Sequence, residues 1–157
     1  TGQNLGAGNI KRIKDGVRAG MLVAAATSVV ISAVMIVFGR RIVGLFISGE
    51  PAQVAEAITI AYHFLLVLSL PLVILYFLYV YRSALQGMGD TMIPMLSGVA
   101  EFVMRITAVF VLPRIYGPEA VFFAEIAAWL GADVILLTAY YIRMYQFTKK
   151  FSLRKEG

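Results

Sequence analysis

The chain has no cysteine and only one histidine. A disulfide frame, a thiolate zinc site and a cysteine nucleophile are excluded, and one histidine gives little from which to build a metal cluster. Charge is scarce as well: charged residues make up 15% of the 157, against about a quarter in an ordinary soluble domain. Hydrophobic residues fill the space at 60%, with a mean hydropathy of +0.81. That balance reads as a membrane protein. The formal charge of +5 does not indicate nucleic acid, because no basic face with reading elements accompanies it. "GAGN" follows no strand and lacks a Lys-Ser/Thr pair, so it is not a phosphate loop. No serine, cysteine or metal-ligand constellation supports an enzyme. The opening "TGQNLGAGN" lacks the basic-then-apolar order of a signal peptide, and a start at Thr1 reads as a piece of a longer protein.

A spanning helix needs about 20 mostly apolar residues. Four stretches qualify, at about 19–38, 58–81, 92–113 and 118–141, which predicts an all-α polytopic membrane protein. Between them "SGEP", "QGMGDT" and "YGP" supply turn glycines and helix-starting prolines, with Pro51 and Pro118 expected in first helical turns. Pro71 falls inside the second span and is expected to kink it. Basic residues divide unevenly. Lys11, Arg12, Lys14, Arg18, Arg82, Arg143, Lys149, Lys150, Arg154 and Lys155 fall on one side, ten in all, and Arg40, Arg41 and Arg114 on the other. The positive-inside bias predicts that both termini are cytoplasmic.

The third span, "PMLSGVAEFVMRITAVFVLP", carries Glu101 and Arg105 near its middle. They lie one helical turn apart and can pair, which offsets the several kcal/mol that each buried charge alone would cost. Such a pair is either a structural clamp or a gate broken in one conformation. Ser97, Gly98 and Ala100 on the same helix are small enough to admit a neighbouring helix. The fourth span adds Glu125, several Å outward of the midplane, and Asp133, several Å inward. Arg105 is near the depth of Glu125 and can choose between the two glutamates. Three carboxylates against one arginine leave two negative charges in excess, to be protonated, solvated or matched by a cation; the plain alternative is that Glu125 and Asp133 reach interfacial water. Trp129, four residues from each acid, is either a packed core residue or a ring face for an organic cation. His63 can relay protons or simply sit hydrogen-bonded near the outer surface. Tyr76, Tyr79, Tyr81, Tyr140, Tyr141 and Tyr145 fit an interfacial aromatic belt. The seven methionines read as gap-filling.

Four stretches, in order, resemble the multidrug and toxic compound extrusion (MATE) transporters. "GQNLGAGN" with "KRIKDGVRAG" is similar to the link before their ninth helix, and "RRIVGLFISGE" to that helix's outer end. "YRSALQGMGDTMIP" resembles the turn between the tenth and eleventh helices, and "EFVMRITAVFVLPRIYGPEAVFFAEIAAW" the last two helices. The resemblance implies part of a six-helix lobe of a twelve-helix exporter, with residues 1–150 as a partial C-terminal lobe and 151–157 as a basic cytoplasmic tail. It implies alternating access in a plasma (inner) membrane, exchanging small organic cations or drugs for protons or sodium ions, with no other cofactor. The implied partners are the lipid bilayer and the missing N-terminal lobe. The second span has no aspartate, where sodium-coupled members carry one, so Glu101, Arg105, Glu125, Asp133 and His63 stand as ion-coupling or gating candidates and Trp129 as a substrate contact. The rivals are a lipid-linked oligosaccharide flippase of similar build, which would show more cationic residues in its cavity, and a small four-helix membrane scaffold.

Overall fold

The computed structural model describes residues 1–156, with side chains described through Ser152. The side chains of Arg154 and Lys155, two of the charges placed on the basic tail, lie outside the described residues.

Among the described residues the chain is helical, without strands. A short helix, α1 (Gly2–Gly6), precedes α2 (Ile10–Gly44), and Asn9 accepts a hydrogen bond from the Arg12 N–H at 3.1 Å as its N-cap. Next come α3 (Pro51–Ser69) and α4 (Leu72–Gly87), which together make the second crossing, and α5 (Met92–Tyr116). A 3₁₀ helix (Pro118–Phe123) then leads into α6 (Ala124–Glu156). Four stretches, α2, α3, α5 and Pro118–Ser152, are long and apolar enough to cross a membrane. The helices outrun the apolar stretches that mark them. At about 1.5 Å per residue α2 is about 52 Å long, well beyond a hydrocarbon core of about 30 Å.

Pro51 and Pro118 open their helices as expected. Pro71 does more than kink the second span. It has no N–H to give, so α3 stops at Ser69 and α4 restarts at Leu72 with an Ile74 N–H to Pro71 O bond of 2.9 Å. A break at membrane depth leaves carbonyls that lipid cannot satisfy. Ser32 on α2 meets one of them, donating through Oγ to the Ser69 carbonyl at 2.5 Å. Gly39 brings the same two helices together further along, where an added Cβ would stand 3.0 Å from the Tyr62 ring and 3.1 Å from Leu65. The Tyr62 hydroxyl crosses that contact to the Ile36 carbonyl at 2.7 Å.

The core lies between α2, α4 and α6. Ile13 and Val17 meet Leu78, Tyr81 and Leu85 across from Trp129, Leu136, Tyr140 and Met144, all at helical spacing along their own helices. Tyr81 and Tyr140 are thus buried, their rings 5.3 Å apart, and do not belong to the aromatic belt. Tyr79, Tyr141 and Tyr145 remain exposed and fit it. Ser97 on α5 is fully buried, whereas Gly98, also expected at a helix contact, faces open space.

The N-terminal link, the α4–α5 turn and the end of α6 converge. Thr1 abuts Gly87, Gly8 lies against the Phe151 ring, and Asp90 binds Arg143. These three regions therefore share one end of the bundle. At the other end the rings of His63 and Phe64 meet Phe122 of the 3₁₀ helix at 5.7 and 5.2 Å.

Candidate functional site

The polar centre of the bundle is a chain of four charges that links α4, α5 and α6. Arg82 Nη2 donates to Glu101 Oε2 at 3.1 Å, and Arg105 Nη2 donates to Glu101 Oε1 at 2.9 Å. Arg105 Nε lies 2.8 Å from Glu125 Oε1. Helix geometry sets the register: Glu101 and Arg105 are one turn apart on α5, and α6 runs back along α5 so that Glu125 in its first turn meets the arginine. Arg105 does not choose between its glutamates; it holds both at once. The chain stays partly open, with side-chain exposures from 17% at Glu101 to 34% at Arg105.

Arg82 corrects the sequence reading. The sequence puts it just past the second span, among the basic residues of one side, but α4 continues to Gly87 and carries Arg82 inside the bundle. Its guanidinium also stands 3.4 Å from the Ser97 hydroxyl and 5.9 Å from the Tyr79 ring centre. "YRSALQG" contains no helix breaker before Gly87, and that was the available signal. Two consequences follow for the charge counts. The basic side of the bundle loses one residue, leaving nine against three. The acid excess falls from two to one, because Glu101 and Glu125 are matched by Arg82 and Arg105.

The remaining acid is Asp133. Its Oδ1 is buried and has no hydrogen-bond partner, and the Nε atoms of Arg82 and Arg105 are in the same condition, Arg105 Nε meeting Glu125 as a charge contact without hydrogen-bond geometry. A buried acceptor left unmatched costs about 1–3 kcal/mol, and more when charged, so a polar occupant here would be stabilised. Trp129, one turn before Asp133 on α6, is only 6% exposed and packs within the apolar core among Leu78, Leu136 and their neighbours. His63, in the second half of α3, is exposed and its ring is turned to Phe122. It takes no part in the charge chain. Among the described residues no three His, Asp or Glu side chains cluster as a metal ion would require.

A second polar junction was not foreseen. Helix α4 ends in a Schellman motif: the Asp90 N–H bonds the Leu85 carbonyl at 3.0 Å, the Gly89 N–H bonds Gln86 O at 2.9 Å, and Gly89 takes φ 84°. The turn aims the Asp90 carboxylate at α5 and α6 together. Oδ1 accepts from the Ile93 N–H at 3.2 Å, and Oδ2 accepts from Arg143 Nε at 2.7 Å. Burial alone would push this carboxyl up, but the Arg143 and Ile93 hydrogen bonds outweigh it and hold Asp90 below the usual carboxylate range. Asp90 and Arg143 are 53 residues apart, and nothing in the sequence marks them as partners.

A groove of about 730 Å³ lies between α2, α4 and α6 at the end that holds the chain's termini, away from the charge chain.

The family model described as MatE matches residues 1–111, which takes in α1 to α4 and most of α5. Helix α6, with Glu125, Trp129 and Asp133, lies beyond the matched residues. No curated protein and no solved structure matches the chain.

Proposed function

This chain belongs to the MatE family of membrane transporters, and we propose that its spans form one wall of a secondary exporter working by alternating access. In this reading small organic cations or drugs leave the cell in exchange for protons or sodium ions, and transport takes the place of catalysis. Both termini are cytoplasmic in the plasma membrane, and the chain works with further helices of the same transporter.

One observation carries the proposal: five ionisable side chains at membrane depth, one of them unmatched, on a face that is partly open. An ionised side chain facing lipid costs about 2.5–3.5 kcal/mol even on the lenient insertion scale. The open face is therefore expected to meet a water-filled cavity or another helix. Either requires partners beyond these spans, which favours a transporter lobe over a self-contained four-helix scaffold. Asp133 is the candidate coupling group, since it lacks a fixed counter-ion where Glu101 and Glu125 have theirs. The balanced chain Arg82–Glu101–Arg105–Glu125 is the candidate clamp between α4, α5 and α6. Trp129 supports the substrate-contact reading only if α6 moves, because its ring is covered by the core.

The test is efflux from proteoliposomes holding the complete transporter, driven by an imposed proton or sodium gradient and followed with ethidium. Asp133→Asn is expected to reconstitute at normal yield and to abolish the dependence on the driving gradient. Full gradient-driven efflux by Asp133→Asn would move coupling to another residue.

A further inference from the structure

The groove between α2, α4 and α6 is amphipathic along its length. Lys14 and Arg18, one turn apart on α2, line the end nearest the termini, beside Tyr145 and Thr148 of α6. Deeper in the groove the walls become Leu22 and Ala25 of α2 and Phe77 of α4. From Lys14 to Ala25 the groove follows α2 for about 16 Å, from the helix's basic end into its apolar stretch. No carboxylate lines it. Lys14 and Arg18 are exposed, and neither enters an ion pair among the described residues.

We propose that this groove is a binding site for one anionic phospholipid of the leaflet on the side of the chain's termini. The headgroup phosphate sits at Lys14 and Arg18, and an acyl chain runs along Leu22, Ala25 and Phe77. Two cations without an ion pair among the described residues, above apolar walls, suit a molecule that is anionic at one end and hydrocarbon at the other. Basic pockets between membrane helices bind anionic headgroups by the same means. An organic cation is disfavoured, since it would meet two like charges and no acid. The rings of Tyr141 and Tyr145, exposed at the groove, occupy the headgroup level where amphipathic rings are most stable. The site is separate from the charge chain, so its occupancy bears on assembly and stability rather than on ion coupling.

The experiment uses the full transporter chain purified in a mild detergent, with thermal unfolding and native mass spectrometry as readouts. Dioleoylphosphatidylglycerol is expected to raise the unfolding midpoint saturably and to remain bound at about one per chain. Dioleoylphosphatidylcholine should do neither. Soluble glycerophosphoglycerol should fail too, which separates a lipid site from a free-phosphate site. Lys14→Gln/Arg18→Gln is expected to weaken phosphatidylglycerol binding about thirty-fold, at about 1 kcal/mol for each basic residue near the surface. The charge-keeping exchange Lys14→Arg/Arg18→Lys should bind as the parent does. Equal stabilisation by the two lipids overturns the proposal even if the glutamine variant fails to fold. Undiminished binding by a folded glutamine variant overturns it as well. So does failure of a membrane-permeant maleimide to label Ala25→Cys in lipid-free protein, since another segment of the transporter then fills the groove.

Discussion

Glu101 holds two guanidiniums and Arg105 holds two carboxylates, so the residues of the charge chain are not interchangeable. Glu101→Ala takes from Arg82 its one carboxylate contact and leaves it the Ser97 hydroxyl and the Tyr79 ring, while Arg105 keeps Glu125. Removing one member of a buried pair costs about 3–5 kcal/mol, and the partial exposure here points to the lower end. Glu101→Ala is therefore expected to lower folded yield more than Arg105→Ala, which leaves Glu101 with Arg82 and strands the more exposed Glu125. The double variant should recover none of the loss, because Arg82 is left without its carboxylate and Glu125 without its guanidinium. Fluorescence-detected size exclusion of the complete transporter reads this ordering directly. A double variant at full parental yield would mean that Arg82 contributes nothing. Asp90 makes a different prediction. Its pKa in the folded state is lowered, so its contribution is present above the carboxyl's ordinary value and is lost as pH falls through the folded one. Thermal stability should decline below about pH 4, and Asp90→Asn should start lower and flatten that part of the profile. An unchanged profile would show that the Asp90–Arg143 junction does not stabilise the fold. Of these residues the sequence made Glu101 and Arg105 legible, because charges inside a long apolar run stand out. Arg82 stood at the edge of such a run and passed for a loop residue. Asp90 and Arg143 were illegible as a pair, since a tertiary contact over that separation leaves no local pattern.

At the scale of the helices, apolar length alone located the four crossings, and turn chemistry located their ends. It could not tell how far helix continues into polar turns, because Lys, Arg and Gln are good helix formers and α2, α4 and α6 simply run on through them. Nor could it separate a kink from a break. Pro71 demands one lost hydrogen bond, but whether the helix resumes in line depends on who takes the freed carbonyls, and Ser32 lies 37 residues away. Small residues were likewise ambiguous. Gly39 makes a close helix contact and Gly98 makes none, although both sit in apolar helix. That contrast sets a test. Gly39→Val would force its methyls against the Tyr62 ring and is expected to cost about 1–3 kcal/mol as overpacking. Gly98→Ala, with open space around it, should be neutral or slightly stabilising. Unfolding midpoints in detergent compare the two, and equal midpoints would mean that α2 and α3 do not pack as described.

Taken whole, the bundle places its first and last described helices' polar ends together with the α4–α5 turn, and seven of the ten described basic side chains outside the charge chain lie at that end. This predicts which end faces the cytoplasm. The absence of native cysteine in the chain makes the measurement simple. In intact cells an impermeant maleimide should label Ser48→Cys, in the α2–α3 turn, and spare Ser152→Cys; the opposite pattern would invert the topology. The last crossing has one more consequence, which concerns how the chain enters the bilayer at all. Helix α5 by itself would carry the Glu101–Arg105 pair into lipid with its second bonds unmade, to Arg82 on α4 and to Glu125 on α6. Gly117 and the 3₁₀ helix turn the chain back at once, so that Glu125 reaches Arg105 as soon as α6 begins. Helix α6 closes one of those bonds, and Arg82 of α4 closes the other. During synthesis α5 is a poor candidate to leave the translocon alone and a better one in company, which makes α4, α5 and α6 together the unit of membrane insertion.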